Sequence, residues 1–206
     1  MHTISDSAVR RLSLYLRFLD EFAEEGLATI SSGALATRGG TTPAQVRKDL
    51  SIFGSFGTRG VGYEVAELRA RLRTILGLGR RYSVVVVGAG KVGSALVHYH
   101  GFRQRGFDVV AVYDRSSQRI GTLFDGLRVR DVARLGRDLR TSCPDIAVIV
   151  TPADAAEDVA QVLVRGGVKA ILNFAPVPLS VPEDVTVRGV NLALELEALS
   201  FALTNS

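Results

Sequence analysis

Apolar residues recur at the three-and-four spacing of a helix from Ser7 to about Glu25, with Val9, Leu12, Leu16, Leu19 and Phe22 on one stripe. Ser5 or Ser7 is placed to cap this helix and Gly26 to end it. A short helix is expected near Ser32–Thr37, then a turn at Arg38-Gly39-Gly40. In TTPAQVRKDLSIFG, Thr42 takes the N-cap and Pro43 the first helical position, which its fixed φ suits. Helix, short helix, glycine turn and helix in that order predict a helix-turn-helix unit. Helical spacing returns over Val65–Leu76, and GLGRR (Gly77–Arg81) reads as a linker.

Beyond the linker the period changes. YSVVVVG (Tyr82–Gly88) is a β-branched run suited to a buried parallel strand, and it leads straight into GAGKVG and a helix expected from about Val92 to Arg103. A second strand, DVVAVYD, ends at Asp114, 21 residues beyond Gly93. Further strands are expected at Ile146–Thr151, Ala170–Phe174 and Val185–Val190, separated by helices near Asp131–Thr141 and Ala153–Val164. This alternation predicts an α/β domain built on a Rossmann-type, doubly wound parallel sheet.

In the third helix Val46, Leu50 and Phe53 share one stripe, while Ala44, Lys48 and Ser51 point away from it, flanked by Gln45 and Arg47. A major groove needs such a face, with a small residue for close approach and long donors for base edges and phosphates. Any amphipathic surface helix also has a polar face, so the next segment matters. GSFGTRGVGY (Gly54–Tyr63) reads as a glycine-rich hairpin, a wing, whose tip carries Thr58 and Arg59. An Arg on a narrow tip suits the negative potential of a minor groove.

Charge supports the same division. The 206 residues carry a formal +4, and residues 1–82 hold 12 Lys+Arg against 8 Asp+Glu, leaving the remainder neutral. A basic front portion on a neutral body suits nucleic-acid binding. Apolar residues are 47% and charged residues 22% of the chain, the balance of a globular protein. No apolar run reaches the ~20 residues of a membrane span. The single cysteine, Cys143, excludes an internal disulfide and points to a reducing cytoplasm, and it reads as a small buried hydrophobe. With so few thiols and imidazoles no metal site is expected.

A bare GxGxxG is a weak signal. Preceded by a strand, followed by a helix and a strand, and closed by an acid, it predicts a dinucleotide site. Gly88 would permit the turn, Gly90 the approach of the pyrophosphate and Gly93 close packing of the helix, with Ala89, Lys91 and Val92 completing the loop. Asp114 would accept from the ribose hydroxyls and repel a 2′-phosphate, favouring NAD(H), although Arg115 and Ser116 beside it suit that phosphate. Thr151-Pro152 and Asn173–Pro176 end strands at the edge where such sheets bind ligands; a plain strand-to-loop transition explains both equally well. His98, Tyr99 and His100 fall consecutively on the first helix of this half, and no catalytic constellation is evident. The final helix, Leu192–Leu203, is apolar around most of its circumference, so a dimer contact is expected.

VRKDLSIFGSFGTRGVGY (Val46–Tyr63), GAGKVGSAL (Gly88–Leu96) and ILNFAPVPL (Ile171–Leu179) resemble the Rex redox-sensing transcriptional repressors of bacteria. The resemblance implies a winged-helix domain at 1–80, an NAD(H)-binding domain at 81–190 and a dimerisation helix at 191–206 exchanged between subunits. It implies a homodimer on palindromic operator DNA, released by NADH with NAD+ competing. By position, Arg47, Lys48 and Arg59 would contact DNA, and Gly88, Gly90, Gly93 and Asp114 would hold the dinucleotide. Tyr99 would sit near the nicotinamide. Arg11 would pair with an acid just before the last helix, where this chain has the neutral Asn191. Lys91 likewise stands where an Arg is expected. Two alternatives stay open: an NAD(P)-dependent dehydrogenase with an N-terminal dimerisation domain, and a repressor of this type with altered redox response.

Overall fold

The structure is a computed structural model that describes residues 4–58 and 60–205. The chain divides into two compact units, 1–80 and 81–206.

In the first unit, α1 (Asp6–Glu24) is capped by Ser5, whose hydroxyl accepts from Ala8 N at 3.3 Å. Its buried stripe is Ala8, Leu12, Tyr15, Leu16, Leu19 and Phe22. At 100° per residue that stripe centres near Ala8, so Val9 falls at its edge and is exposed. The unit continues with β1 (Thr29–Ile30), α2 (Ser32–Arg38), α3 (Pro43–Ser51), β2 (Tyr63–Glu64) and α4 (Val65–Ile75). Thr42 caps α3 by accepting from Gln45 N at 3.1 Å, with Pro43 opening the helix. Leu35, Val46, Leu50, Tyr63, Leu68 and Leu72 close over the α1 stripe to form one core.

The wing is smaller than the sequence predicts. Its hairpin is one bridge, Thr58 to Gly62, and β2 pairs antiparallel with β1 instead of extending that hairpin. The glycines are sterically required there: at Gly57, with φ +75°, a Cβ would lie 2.3 Å from Gly62 O.

The second unit runs β3 (Tyr82–Val87), α5 (Lys91–Val97), α6 (Gly101–Gln104), β4 (Phe107–Asp114), β5 (Leu123–Phe124) and β6 (Leu127–Asp131). A 3-10 turn at Val132–Arg134 leads into α7 (Leu135–Thr141), β7 (Ile146–Ile149), α8 (Ala153–Arg165), β8 (Ala170–Asn173), β9 (Thr186–Gly189) and α9 (Leu192–Thr204). The sheet order is β5-β6-β4-β3-β7-β8-β9, parallel throughout except β5 with β6. Successive strand residues bury opposite faces. Val85 and Val87 join the core with residues of α7 and α8, and Val84 and Val86 join the one with Val97 of α5. The strand order reverses at β3, so the crevice between the carboxyl ends of β3 and β7 is where this architecture binds ligands.

Three expectations need correcting. The helix expected over Val92–Arg103 is two, α5 and α6, broken at His98–His100, so those residues do not share a continuous helix. The helix expected from Asp131 starts later, because Asp131 ends β6 and accepts from Ala133 N to start the 3-10 turn. Cys143 is exposed rather than buried.

Candidate functional site

On α3, Ala44, Arg47, Lys48 and Ser51 are exposed and Gln45 is half-buried at the rim of the same face. Arg47 Nη1 donates to Ser32 Oγ at 3.0 Å, and Ser51 Oγ donates to Lys48 O at 2.8 Å. Thr58 is exposed at the root of the wing, and Arg59 lies outside the described residues.

Beneath this face is a group that sequence reasoning missed. Asp49 is almost wholly buried and accepts from Arg11 Nε (2.6 Å) and Nη2 (2.8 Å), Tyr15 OH (3.0 Å) and Gln45 Nε2 (2.7 Å). Burial alone would raise its carboxyl, but the donors Arg11, Gln45 and Tyr15 outweigh it and hold the group below its usual range. An acid at the inner-facing turn Val46–Leu50 is the signal that marks it. Arg11 thus has its fork filled by Asp49. Asn191 caps α9 by accepting from Ala193 N at 3.0 Å.

At the crevice, Gly88 has φ +111° and its N–H donates to Tyr113 O at 2.7 Å. A Cβ on Gly88 would stand 2.6 Å from Val150 O, and one on Gly93 only 1.9 Å from Gly88 O. At Gly90, by contrast, a Cβ would meet nothing within 4 Å. Two glycines pack the loop shut and the third leaves open space at the start of α5, whose N-cap has no side-chain partner. Lys91 and Val92 are exposed on that first turn, while Ala89 is buried. Asp114 ties the loop down: Oδ2 accepts from Ala89 N at 2.6 Å and Oδ1 from Ser116 N at 2.7 Å. Burial pushes this carboxyl up, but those two amides and Arg119, 3.4 Å away, bring it below its ordinary value. Each carboxylate oxygen keeps acceptor capacity beyond its amide. Across the crevice, Thr151 Oγ1 is buried without a hydrogen-bond partner among the described residues, and Pro152 precedes α8. An orphaned hydroxyl, open space at Gly90 and a helix start with no side-chain cap, whose first-turn amides have no partner within the helix, fit a bound dinucleotide.

The other candidates lie elsewhere. Tyr99 is exposed in the α5–α6 break, edge-on to Phe102 at 5.1 Å, and lines a hollow with Phe107 and Asp108 at the start of β4. That hollow adjoins the C-terminal end of α5, whose N-terminal end carries the glycine loop. Asn173 holds its own loop, accepting from Ala175 N and donating to Val177 O.

A curated protein of Syntrophomonas wolfei named redox-sensing transcriptional repressor Rex is 48% identical over 200 residues, covering 97% of this chain and 95% of its own. The chain belongs to the Rex family. A Rex of Carboxydothermus hydrogenoformans is likewise 48% identical, over 96% of this chain and 95% of its own. Residues 3–51 match the family described as "Putative DNA-binding protein N-terminus" and residues 80–177 the "CoA binding domain". Among solved structures, the Rex-family repressor RSP in complex with β-NAD+ and operator DNA superposes with TM-score 0.93 at 36% identity, covering 100% of this chain and 94% of its own. RSP in complex with β-NADH gives 0.90 at 35%, covering 100% and 96%. The likeness spans both units, so the α/β fold with an N-terminal DNA-binding domain and a Rossmann-like second domain is that of Rex.

Proposed function

We propose that this chain is a cytoplasmic, homodimeric repressor whose grip on palindromic operator DNA falls as the NADH/NAD+ ratio rises. The observation that carries this is the glycine loop at the sheet's switch point, shut at Gly88 and Gly93 and open at Gly90, in the same chain as a capped recognition helix. Ala44, Gln45, Arg47, Lys48, Ser51, Thr58 and, by sequence alone, Arg59 are assigned to DNA contact. Lys48 and Arg59 supply positive charge for phosphates, and Ala44 allows close approach to the groove.

The dinucleotide is held by backbone amides at the start of α5, by Asp114 and by Thr151 Oγ1, with Ala89, Lys91 and Val92 around it. The bound group supplies a ring that is cationic when oxidised and neutral when reduced, and an apolar surround favours the neutral form. The two forms must bind the DNA-competent state unequally, since equal binding shifts no equilibrium. Arg11, Tyr99 and Asn191 are assigned to coupling between ligand and DNA. No catalytic role is assigned to any residue.

The dimer is supported by α9. Leu192, Leu194, Leu196, Leu199, Phe201 and Leu203 are all more than half exposed. Within the same unit an apolar hollow of about 380 Å³, lined by Phe102, Phe107, Ile146, Val148 and Leu172 among others, is also uncovered. Exchange of α9 between two copies covers such surfaces, and a two-fold dimer presents two recognition helices to half-sites ~34–36 Å apart.

Gel shifts on duplexes enriched from a random library, with each nucleotide added in turn, test the proposal. Release by NADH and retention with NAD+ are expected; equal release by both, or no retained duplex, overturns it.

A further inference from the structure

On the α3 wheel, Gln45 stands between Lys48, on the outer face, and Asp49, on the inner one, and its amide is engaged by Asp49. Asp49 is an acceptor with no proton to donate, because Arg11 and Tyr15 occupy it from α1 and hold it ionised. An amide that flipped would bring Gln45 Oε1 against a buried anion, so Nε2 must face inward. One Nε2 proton is spent on Asp49, so the edge left for the groove is Oε1, with no protein donor on it among the described residues, and the second Nε2 proton beside it. Ordinary surface glutamines present either amide edge; this one is fixed four residues from its clamp on the same helix.

We propose that Gln45 is a specificity-determining residue that reads one base pair of each half-site as an acceptor, through an amino group (adenine N6 or cytosine N4) in the major groove. Guanine O6 and thymine O4 are acceptors themselves and give Oε1 no proton, whereas adenine offers N6–H to Oε1 and N7 to the second Nε2 proton. Asp49 acts as a positioning residue: it sets the polarity of the reader without touching DNA. The inference rests on α3 being the recognition helix.

Two steps test it with the full-length protein. Selection from a randomised duplex library, run on wild type and Gln45→Ala, identifies the pair whose preference the variant loses. Anisotropy is then measured on duplexes in which that pair carries either the desamino analogue of its adenine or cytosine, or an analogue lacking the keto oxygen of its partner. Amino deletion is expected to weaken wild type roughly tenfold and to leave Gln45→Ala unchanged, while keto deletion costs wild type nothing. Asp49→Asn, which permits the flip, should tolerate amino deletion; if that variant does not fold, Gln45→Ala alone decides. The inference fails if Gln45→Ala selects the wild-type sequence, or if keto rather than amino deletion weakens wild type. Should wild type select no sequence at all, operator binding itself is refuted, a result distinct from a selective protein indifferent to Gln45.

Discussion

Arg11 and Asp49 meet as a two-pronged ion pair between α1 and α3, with Nε 2.6 Å from Oδ2 and Nη2 2.8 Å from Oδ1. The acid is the buried partner and the arginine is partly exposed. Asp49→Ala therefore leaves Arg11 free to reach water but strands the buried Tyr15 hydroxyl. Removing one member of a buried pair costs about 3 kcal/mol, read as a lowered urea midpoint of the full chain with its denaturant slope unchanged.

The pH limits of this cluster follow from its partners. Asp49 is depressed in the folded chain, so its contribution is complete above the unfolded value of about 4 and fades as pH falls through the folded one. Tyr15 is pushed up to about 12, by burial first and then by its bond to Asp49. Its contribution holds below the unfolded value of about 10 and is lost as pH rises through 12. Urea titrations across pH should show both limbs, and Tyr15→Phe should diminish the alkaline one, to which Tyr63 and Tyr113, also raised by burial, still contribute.

Gly93 and Gly90 should separate cleanly. Gly93→Ala forces a Cβ to within 1.9 Å of Gly88 O, and rigid backbone cannot yield cheaply, so a loss of about 3 kcal/mol and of NADH binding is expected. Gly90→Ala enters open space at a φ of −73° that any residue adopts. Its melting temperature should stay near wild type while NADH affinity falls, as read by nicotinamide fluorescence.

Thr151→Val removes a hydroxyl that has no hydrogen-bond partner among the described residues. Unliganded stability should hold or rise, because an unsatisfied buried oxygen is lost. NADH affinity should drop by about 1 kcal/mol, measured by titration.

Leu196→Asp or Phe201→Asp replaces an exposed apolar side chain of α9 with a charge. Sedimentation should show a shift from dimer to monomer, and DNA affinity should fall with it, since one half-site then binds alone.

Much of this was legible beforehand because local chemistry agreed with global fold. Thr42-Pro43 marked the start of α3, and strand, GAGKVG, helix and Asp114 marked the crevice. Asp49 was hidden because a one-dimensional pattern treats an acid as surface, while its three donor residues arrive from one turn along α3 and from another helix. The β5–β6 hairpin went unforeseen although Asp125-Gly126, with φ +46° and +79°, is a turn signal between its strands. The break after α5 has no proline to announce it; Tyr99 folds its ring to where a Gly101 side chain would stand. The surroundings of α9 are not written in one chain, since none of its residues is buried.

Calorimetric titration of the full-length protein with NADH and with NAD+, each in the presence and absence of its selected operator duplex, tests redox-linked operator binding most directly. Operator is expected to weaken NADH binding several-fold while leaving NAD+ binding equal or tighter, as reciprocal linkage requires. Identical affinities for each nucleotide with and without operator would contradict it.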